Sequence, residues 1–343
     1  MRLLCALVVL TTLGYLPACA ESAPPAAASP ASPPDLAKTD PAKTDPAKPD
    51  PAKPDLAKPD LAFAACQRGR YVTALKEAML RLDANKTDAP AMTLIGELYS
   101  QGLGVRLDAG EAARWYRLAA NLDNREAQFA LAMLNLQGRG VPKDRPTARA
   151  LLEKAAAQGH PGAYYNLGVL ALEGEAGERP HDFAAAAANF QRAADLGDPD
   201  ASYSLAILYR EGKGVAASPV RAADLLGVAA REKNPAAQVE LAIMLFNGDE
   251  PGKPGSGIPK DEAAAAKLFL AAAARGNAIA QNRAARLLAA GRGIKEDKLE
   301  ASKWHILARA AGIADAYLEG VLNALAPEDK AKVDAAVRRQ TGG

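Results

Sequence analysis

Small and apolar residues recur along the chain in a fixed frame, seen most cleanly between Ala127 and Gly159. Ala127, Leu131 and Leu134 share one helix face, because residues three and four apart project from the same side of a helix. Gly138-Arg139-Gly140-Val141 then interrupts. Asp144 opens a second helix with Ala148, Leu151, Ala155 and Ala156 on one side, and that helix stops at Gly159. The frame also opens at Ala91, Ala163, Ala201, Ala237 and Ala280, and four of the five steps between openings are 36 or 38 residues. The longer last step carries a loop insertion. A constant period in this range predicts a solenoid of helical hairpins, each too small to bury its apolar side alone.

Each part of the frame has a physical purpose. A small residue stands at one offset in every copy (Gly96, Ala132, Gly168, Ala206, Ala242, Ala285), where it lets the partner helix approach closely. The pairs Gly102/Gly104, Gly138/Gly140, Gly212/Gly214 and Gly291/Gly293 suit a helix end that needs positive φ and then a tight turn. Asp108, Asp144, Asp261 and Asp297 stand where the second helix begins, as N-caps. Glu111 and Glu300 follow three residues after two of them, the spacing of a capping box. Ser218 takes the cap in the fourth copy, with Pro219 at the first helical position. Trp115, Leu151, Leu225, Leu268 and Trp304 are expected as the large knob of the second helix.

The pattern A-x3-L-G/A-x-L-x3-G-x-G-V/I-x2-D-x3-A-x2-L/W-x3-A-A resembles the Sel1-like repeat family, a relative of tetratricopeptide repeats. The stretches IGELYSQGLGVRLDAGEAARWYRLAA and LAMLNLQGRGVPKDRPTARALLEKAA carry it best. The resemblance implies an all-α, right-handed α-solenoid of helix-turn-helix units serving as a protein-binding scaffold. It names no partner, because such repeats serve many assemblies.

Around the six repeats of residues 91–315 the chain changes character. Residues 1–20 read as an export signal, with Arg2 ahead of an apolar run from Leu3. Leu16-Pro17-Ala18-Cys19 resembles a bacterial lipobox, which implies that Cys19 becomes an acylated N-terminus holding the protein to a membrane. Ala20 after that cysteine resembles outer-membrane sorting. Ordinary cleavage after Ala18-Cys19-Ala20 is the competing expectation and would release a periplasmic protein. Residues 21–60 form a Pro/Ala tract and then a pentapeptide run, with Asp at 35, 40, 45, 50, 55 and 60. So little apolar bulk cannot offset ordering entropy, and the tract is expected to be a disordered, semi-rigid spacer. At about 3.1 Å per residue it would reach on the order of 100 Å. Residues 61–90 read as a degenerate opening hairpin, and residues 316–343 as closing helices.

Transferred from tetratricopeptide geometry, first-helix offsets two, six and nine after each opening alanine line the inner wall. Here they are Phe129, Met133, Leu136; Tyr165, Val169, Leu172; Tyr203, Ile207, Arg210; and Val239, Ile243, Phe246. An apolar, aromatic-rich groove for a segment of another protein is the expectation, and burial between repeats is the alternative. In the end repeats the same places hold Thr93, Glu97, Ser100 and Asn282, Arg286, Ala289.

Composition adds mainly exclusions. A formal net charge of +2 and the lack of an arginine-rich run give no nucleic-acid surface. Three cysteines, Cys5, Cys19 and Cys66, show no pairing at repeating offsets, and Cys66 reads as a small core residue. His160, His181 and His305 occupy three different repeat positions, with no metalloprotease, Cys-x-x-Cys or nucleophile-elbow spacing. Gly138-Arg139-Gly140 and Gly212-Lys213-Gly214 follow helices, so the dinucleotide context is missing. The expectation is therefore a non-enzymatic, exported envelope adaptor without a cofactor, catalytic residue or metal. A periplasmic regulator of a membrane sensor and a peptidoglycan- or sugar-modifying enzyme are the alternatives.

Overall fold

A computed structural model describes residues 60–174, 181–249 and 255–342. The expected export signal, Cys19 and nearly all of the pentapeptide spacer lie outside the described residues. What is described is an all-α solenoid of tandem helix-turn-helix hairpins, with one isolated bridge between Asp249 and Pro259. It divides into two compact units, one ending at Ala148 and the other beginning at Arg149.

The first unit opens with α1 (Leu61–Gln67) and α2 (Tyr71–Ala84), followed by α3 (Ala89–Gln101), α4 (Ala109–Ala120) and α5 (Arg125–Gln137), each packed on the next. Cys66 is buried in α1. Helix α6 (Arg145–Ala157) runs across the boundary. The second unit stacks three hairpins in sequence: α7 (Pro161–Glu173) with α8 (Phe183–Asp195), α9 (Pro199–Glu211) with α10 (Pro219–Arg231), and α11 (Pro235–Asn247) with α12 (Glu262–Ala274). A further hairpin, α13 (Ala278–Ala290) with α14 (Lys298–Ala310), follows. Then α15 (Ala316–Asn323) packs on α14, and α16 (Pro327–Thr341) folds back onto α14.

Both helices of each of the six repeat hairpins start on a side-chain cap, whereas in the opening hairpin Asp60 caps α1 and α2 begins at Arg70 without one. On the second helices Asp108, Asp144, Ser218, Asp261 and Asp297 accept from the backbone N–H three residues on, as their spacing predicts, and Asp182 does so in the third repeat. The first helices are capped too, by Asp88, Asn124, His160, Asp198, Asn234 and Asn277. Each of these accepts from the N–H of an opening alanine, so the recurring alanine frame begins at the third residue of a capped helix. Asparagine and aspartate suit that place because a short acceptor reaches the unpaired amide. His160 reaches it through Nδ1, at 3.1 Å.

One further bond closes every hairpin. The N–H of the second cap donates to a carbonyl near the end of the first helix: Asp108 to Tyr99, Asp144 to Asn135, Asp182 to Ala171, Ser218 to Tyr209, Asp261 to Leu245 and Asp297 to Leu288. These carbonyls all lie eleven residues after the first cap. The irregular third and fifth repeats keep the bond. In the fifth, the Asp249 carboxylate accepts from the N–H groups of Ser256, Gly257 and Ile258, which ties the far side of the inserted loop.

The large knob is one residue further along than expected. Trp115, Leu151, Leu225 and Leu268 are only half-buried, although Trp304 is buried. The next residue, eight after the cap, is sealed in every repeat: Tyr116, Leu152, Phe190, Leu226, Phe269 and His305 are each at most 3 % exposed. That position lies on the same helix face as the buried alanines four and eleven after the cap. The small residue of the first helix is also eight after its own cap, and it meets this knob. A Cβ on Gly96 would lie 2.8 Å from the Tyr116 ring, and one on Gly168 2.6 Å from the Phe190 ring.

The second glycine of each turn has a stacking role as well. A Cβ on Gly140 would lie 2.2 Å from the Ala109 carbonyl group, and on Gly214 and Gly293 2.1 Å from those of Phe183 and Glu262. On Gly104 it would lie 2.8 Å from the Val72 nitrogen. Each contact is with the first turn of the preceding hairpin's second helix. The first glycine of the pair is needed chiefly for its positive φ, since an added Cβ would meet only its own turn, at 3.0 Å from Leu107 for Gly102 and 3.4 Å from Lys143 for Gly138.

Alanine substitutions should therefore rank by what the new methyl meets. Gly320→Ala, in α15 with nothing within 4 Å, should gain about 1 kcal/mol of helix propensity. Gly138→Ala should cost about 1–2 kcal/mol for the left-handed backbone. Gly168→Ala should lose about 1–3 kcal/mol by overpacking despite its helical site, and Gly140→Ala should be worst. Urea unfolding of the four variants checks the order; Gly140→Ala no worse than Gly138→Ala would refute the stacking contact.

Candidate functional site

The expected wall residues sit on the first helices, half in and half out of the core. In the first unit Phe129, Met133 and Leu136 are half-buried on α5. In the second unit so are Tyr165, Val169 and Leu172 on α7, Tyr203 and Ile207 on α9, and Ile243 and Phe246 on α11. Val239 differs: it is 6 % exposed and belongs to the core of the last repeats. Arg210 is exposed and paired with Glu240 of α11, which joins consecutive repeats.

Half-burial follows from the knobs beneath. Tyr165, Val169 and Leu172 pack on the cluster around Phe190, and the Tyr165 ring lies 5.6 Å from the Phe190 ring. Burial, helped by Asp200, pushes the Tyr165 hydroxyl above its usual pKa, and burial with Glu240 does the same at Tyr203. Both phenols stay protonated at physiological pH and keep a donor at the wall.

Between α11 and α13 the wall opens into a cavity of about 310 Å³. Buried Phe269 and Leu287 form its floor, with half-buried Ile243 and Phe246 beside them. Three exposed arginines, Arg283, Arg286 and Arg292, stand at its edge with Tyr317 of α15. The Arg292 guanidinium lies 4.4 Å from the centre of the Phe246 ring and pairs with Glu262. Arg286 lies over Tyr317 and is held in a fork by Asp315, at 2.6 Å from Nε and 3.1 Å from the terminal nitrogen. Asp315 also accepts from Asn282 at 2.8 Å and caps α15 through the Leu318 N–H. Burial alone would raise the Asp315 pKa, but the hydrogen bonds from Arg286 and Asn282 pull it down to about 2.

The wall offsets marked the cavity only in part. Ile243, Phe246 and Arg286 lay on them; Arg283 and Tyr317 did not and recur in no other repeat, and Arg292 sits at a turn position that is also basic at Arg139 and Lys213. Asp315 carried a signal that was available, an aspartate three residues before Leu318 at the start of a new helix. Buried Gln128, Gln238 and Gln281 were also missed. Each directly follows an opening alanine and donates to the carbonyl of Ala120, Ala230 or Ala273, at the end of the preceding helix.

The histidines remain structural. His160 is a cap and His181 is exposed beside the Leu172 carbonyl. His305 is buried, and although no acid stands near it in sequence, the fold brings Glu319 to 2.9 Å from its Nε2. Among the described residues no group of three or more His, Cys, Asp or Glu is placed to hold a metal ion.

Tandem hairpins with a row of side chains along their first helices define a repeat scaffold. The Sel1 repeat model matches residues 89–124, 125–160, 161–198, 199–234, 235–277 and 278–313, and the chain belongs to that family. A Sel1 repeat protein from Oxalobacter formigenes is similar at 30 % identity and a TM-score of 0.63, over 73 % of this chain and 98 % of that one. A protective antigen present in uropathogenic Escherichia coli strains, displaying an SLR fold, shares the fold at 24 % identity and a TM-score of 0.50, over 79 % of this chain and 64 % of the other. Chitin synthase regulatory factor 3 of Schizosaccharomyces pombe is 32 % identical over 113 residues, which are 33 % of this chain and only 12 % of that protein. The chain is thus a non-enzymatic, repeat-built scaffold for protein–protein contact. Among the described residues, no helix is long and apolar enough to cross a membrane.

The Asp315 anchor gives a pH dependence of known sign. An unfolded aspartate near 3.8 binds protons that the folded one, near 2, refuses, so stability from this group is present above about pH 4 and lost as pH falls toward 2. Asp315→Asn should cost roughly 2 kcal/mol at neutral pH, and the difference should close at the acid end. Urea unfolding of both proteins at neutral pH and at about pH 3 tests this; a difference independent of pH would refute it.

Proposed function

We propose that this chain is an exported adaptor of the bacterial cell envelope that holds a segment of another protein against its first-helix wall. The observation that carries this is the run of half-buried Tyr165, Val169, Tyr203, Ile207, Ile243 and Phe246 on consecutive first helices of the second unit. A side chain half-sunk into a rigid core offers apolar area at small entropic cost, which suits an anchoring contact. Phe129, Met133 and Leu136 at the same offsets would extend the contact in the first unit. Acylation of Cys19 would anchor the scaffold to a membrane, with the Pro-rich spacer carrying it away from the surface. Nucleic acid is not among the proposed partners. A regulator of a membrane sensor is the second reading, favoured by the stretch shared with a regulatory factor.

The test is recovery of bound protein from envelope extracts by the wild type and by Tyr203→Ala/Phe246→Ala. Loss of two aromatic anchors should cut recovery by about tenfold or more, equivalent to at least ~1.4 kcal/mol. Undiminished recovery by a folded double variant would move the contact off this wall. In the same cells, metabolic acyl labelling should vanish in Cys19→Ser; label that persists would reject the anchor.

A further inference from the structure

The cavity between α11 and α13 carries charge information that the rest of the wall lacks. Its floor is apolar, formed by Phe269, Leu287 and Ile243. Two of its three arginines are already neutralised, Arg286 by Asp315 and Arg292 by Glu262. Arg283 has no carboxylate partner among the described residues, yet it lines the same cavity and is exposed. An unspent cation beside an apolar floor is complementary to one kind of residue pair: a carboxylate next to a large hydrocarbon group. Arg286 and Arg292 are fixed by their own acids and by the Tyr317 and Phe246 rings, so they add donors in set positions rather than free charge.

Resting on the adaptor reading above, we infer that this cavity selects an acidic–apolar segment of the partner protein, an extended stretch in which Asp or Glu adjoins Leu, Ile or Phe. The apolar side chain enters over Phe269 and Leu287, while the carboxylate meets Arg283 at the edge. The volume, about 310 Å³, is at the low end for a binding pocket and suits one or two side chains rather than a helix laid along the groove. Charge complementarity of this kind sets which segment binds more than how tightly. The contact is open to water, so salt screens it.

The probe is a randomised peptide library displayed on phage and sorted on the full chain. Enriched sequences should place Asp or Glu beside Leu, Ile or Phe. A labelled enriched peptide should bind Arg283→Glu about tenfold more weakly, and its Asp→Asn analogue should lose about as much on the wild type but little more on Arg283→Glu. Arg283→Lys should retain part of the binding, and raised salt should weaken it. Because Arg283 is exposed and unpaired, the variants should melt like the wild type. Enriched peptides that bind Arg283→Glu unchanged but are lost on Tyr203→Ala would overturn this inference and leave the wall in use. Self-association that disappears in Arg283→Glu would make a second copy the occupant and overturn it as well. No enrichment at all would overturn both this inference and the wall.

Discussion

Stacking in this chain depends on a contact between backbones. The second glycine of the turn touches the first turn of the preceding hairpin's second helix so closely that even a methyl group has no room. Gly104, Gly140, Gly214 and Gly293 make it in four separate hairpins. A side-chain contact can yield by changing rotamer, but two backbones cannot, so this contact sets how near one hairpin comes to the next. The sealed knobs, the bridging glutamines and the half-sunk wall residues all presuppose that spacing.

Within a hairpin, the matching of knob and hole is volumetric. Tyr116 and Phe190, both rings, face Gly96 and Gly168, while Leu226 shares its core with Ala206. Where the second helix brings a ring, the first gives up its Cβ. Phe269 departs from this, sharing its core with Ala242 in the repeat that also carries the inserted loop, and so does His305, whose repeat has Ala285 at that place. The insertion itself is absorbed because the closing bond from Asp261 to Leu245 is kept and Asp249 gathers the returning strand of loop by its amides.

Much of this architecture was legible in the sequence because it is local and repeated. The period, the second-helix caps and the small residue at a fixed offset each follow from a few neighbouring residues. The knob was misplaced by one because Trp115 and Tyr116 are both large, and size alone does not say which side of a helix faces in. The buried alanines on either side of Tyr116 did hold that answer, since Ala112 and Ala119 lie on its face. The first-helix caps were hidden by their variety, Asp, Asn and His serving one geometry. The cavity was beyond reach, because Arg283 and Tyr317 belong to the last turns of the solenoid alone and converge with Arg292 only in three dimensions.

The end of the array shows what happens when the repeat logic has no successor. His305 occupies the sealed place that Tyr, Leu or Phe fills in the five earlier repeats. A ring of that size satisfies the volume, but its nitrogens would cost on the order of 1–3 kcal/mol if left unpaired. Glu319 answers one of them at 2.9 Å from α15, and it also takes Arg309, so a single carboxylate fastens the short closing helix to α14 at two points. The hydrogen bond from His305, with the pairing to Arg309, holds the Glu319 carboxyl below its usual pKa, as expected of a group kept ionised. An apolar knob would accept any apolar neighbour in several registers. A polar one accepts only the neighbour that brings its partner, and so the place that continues the solenoid elsewhere specifies its closing helix here.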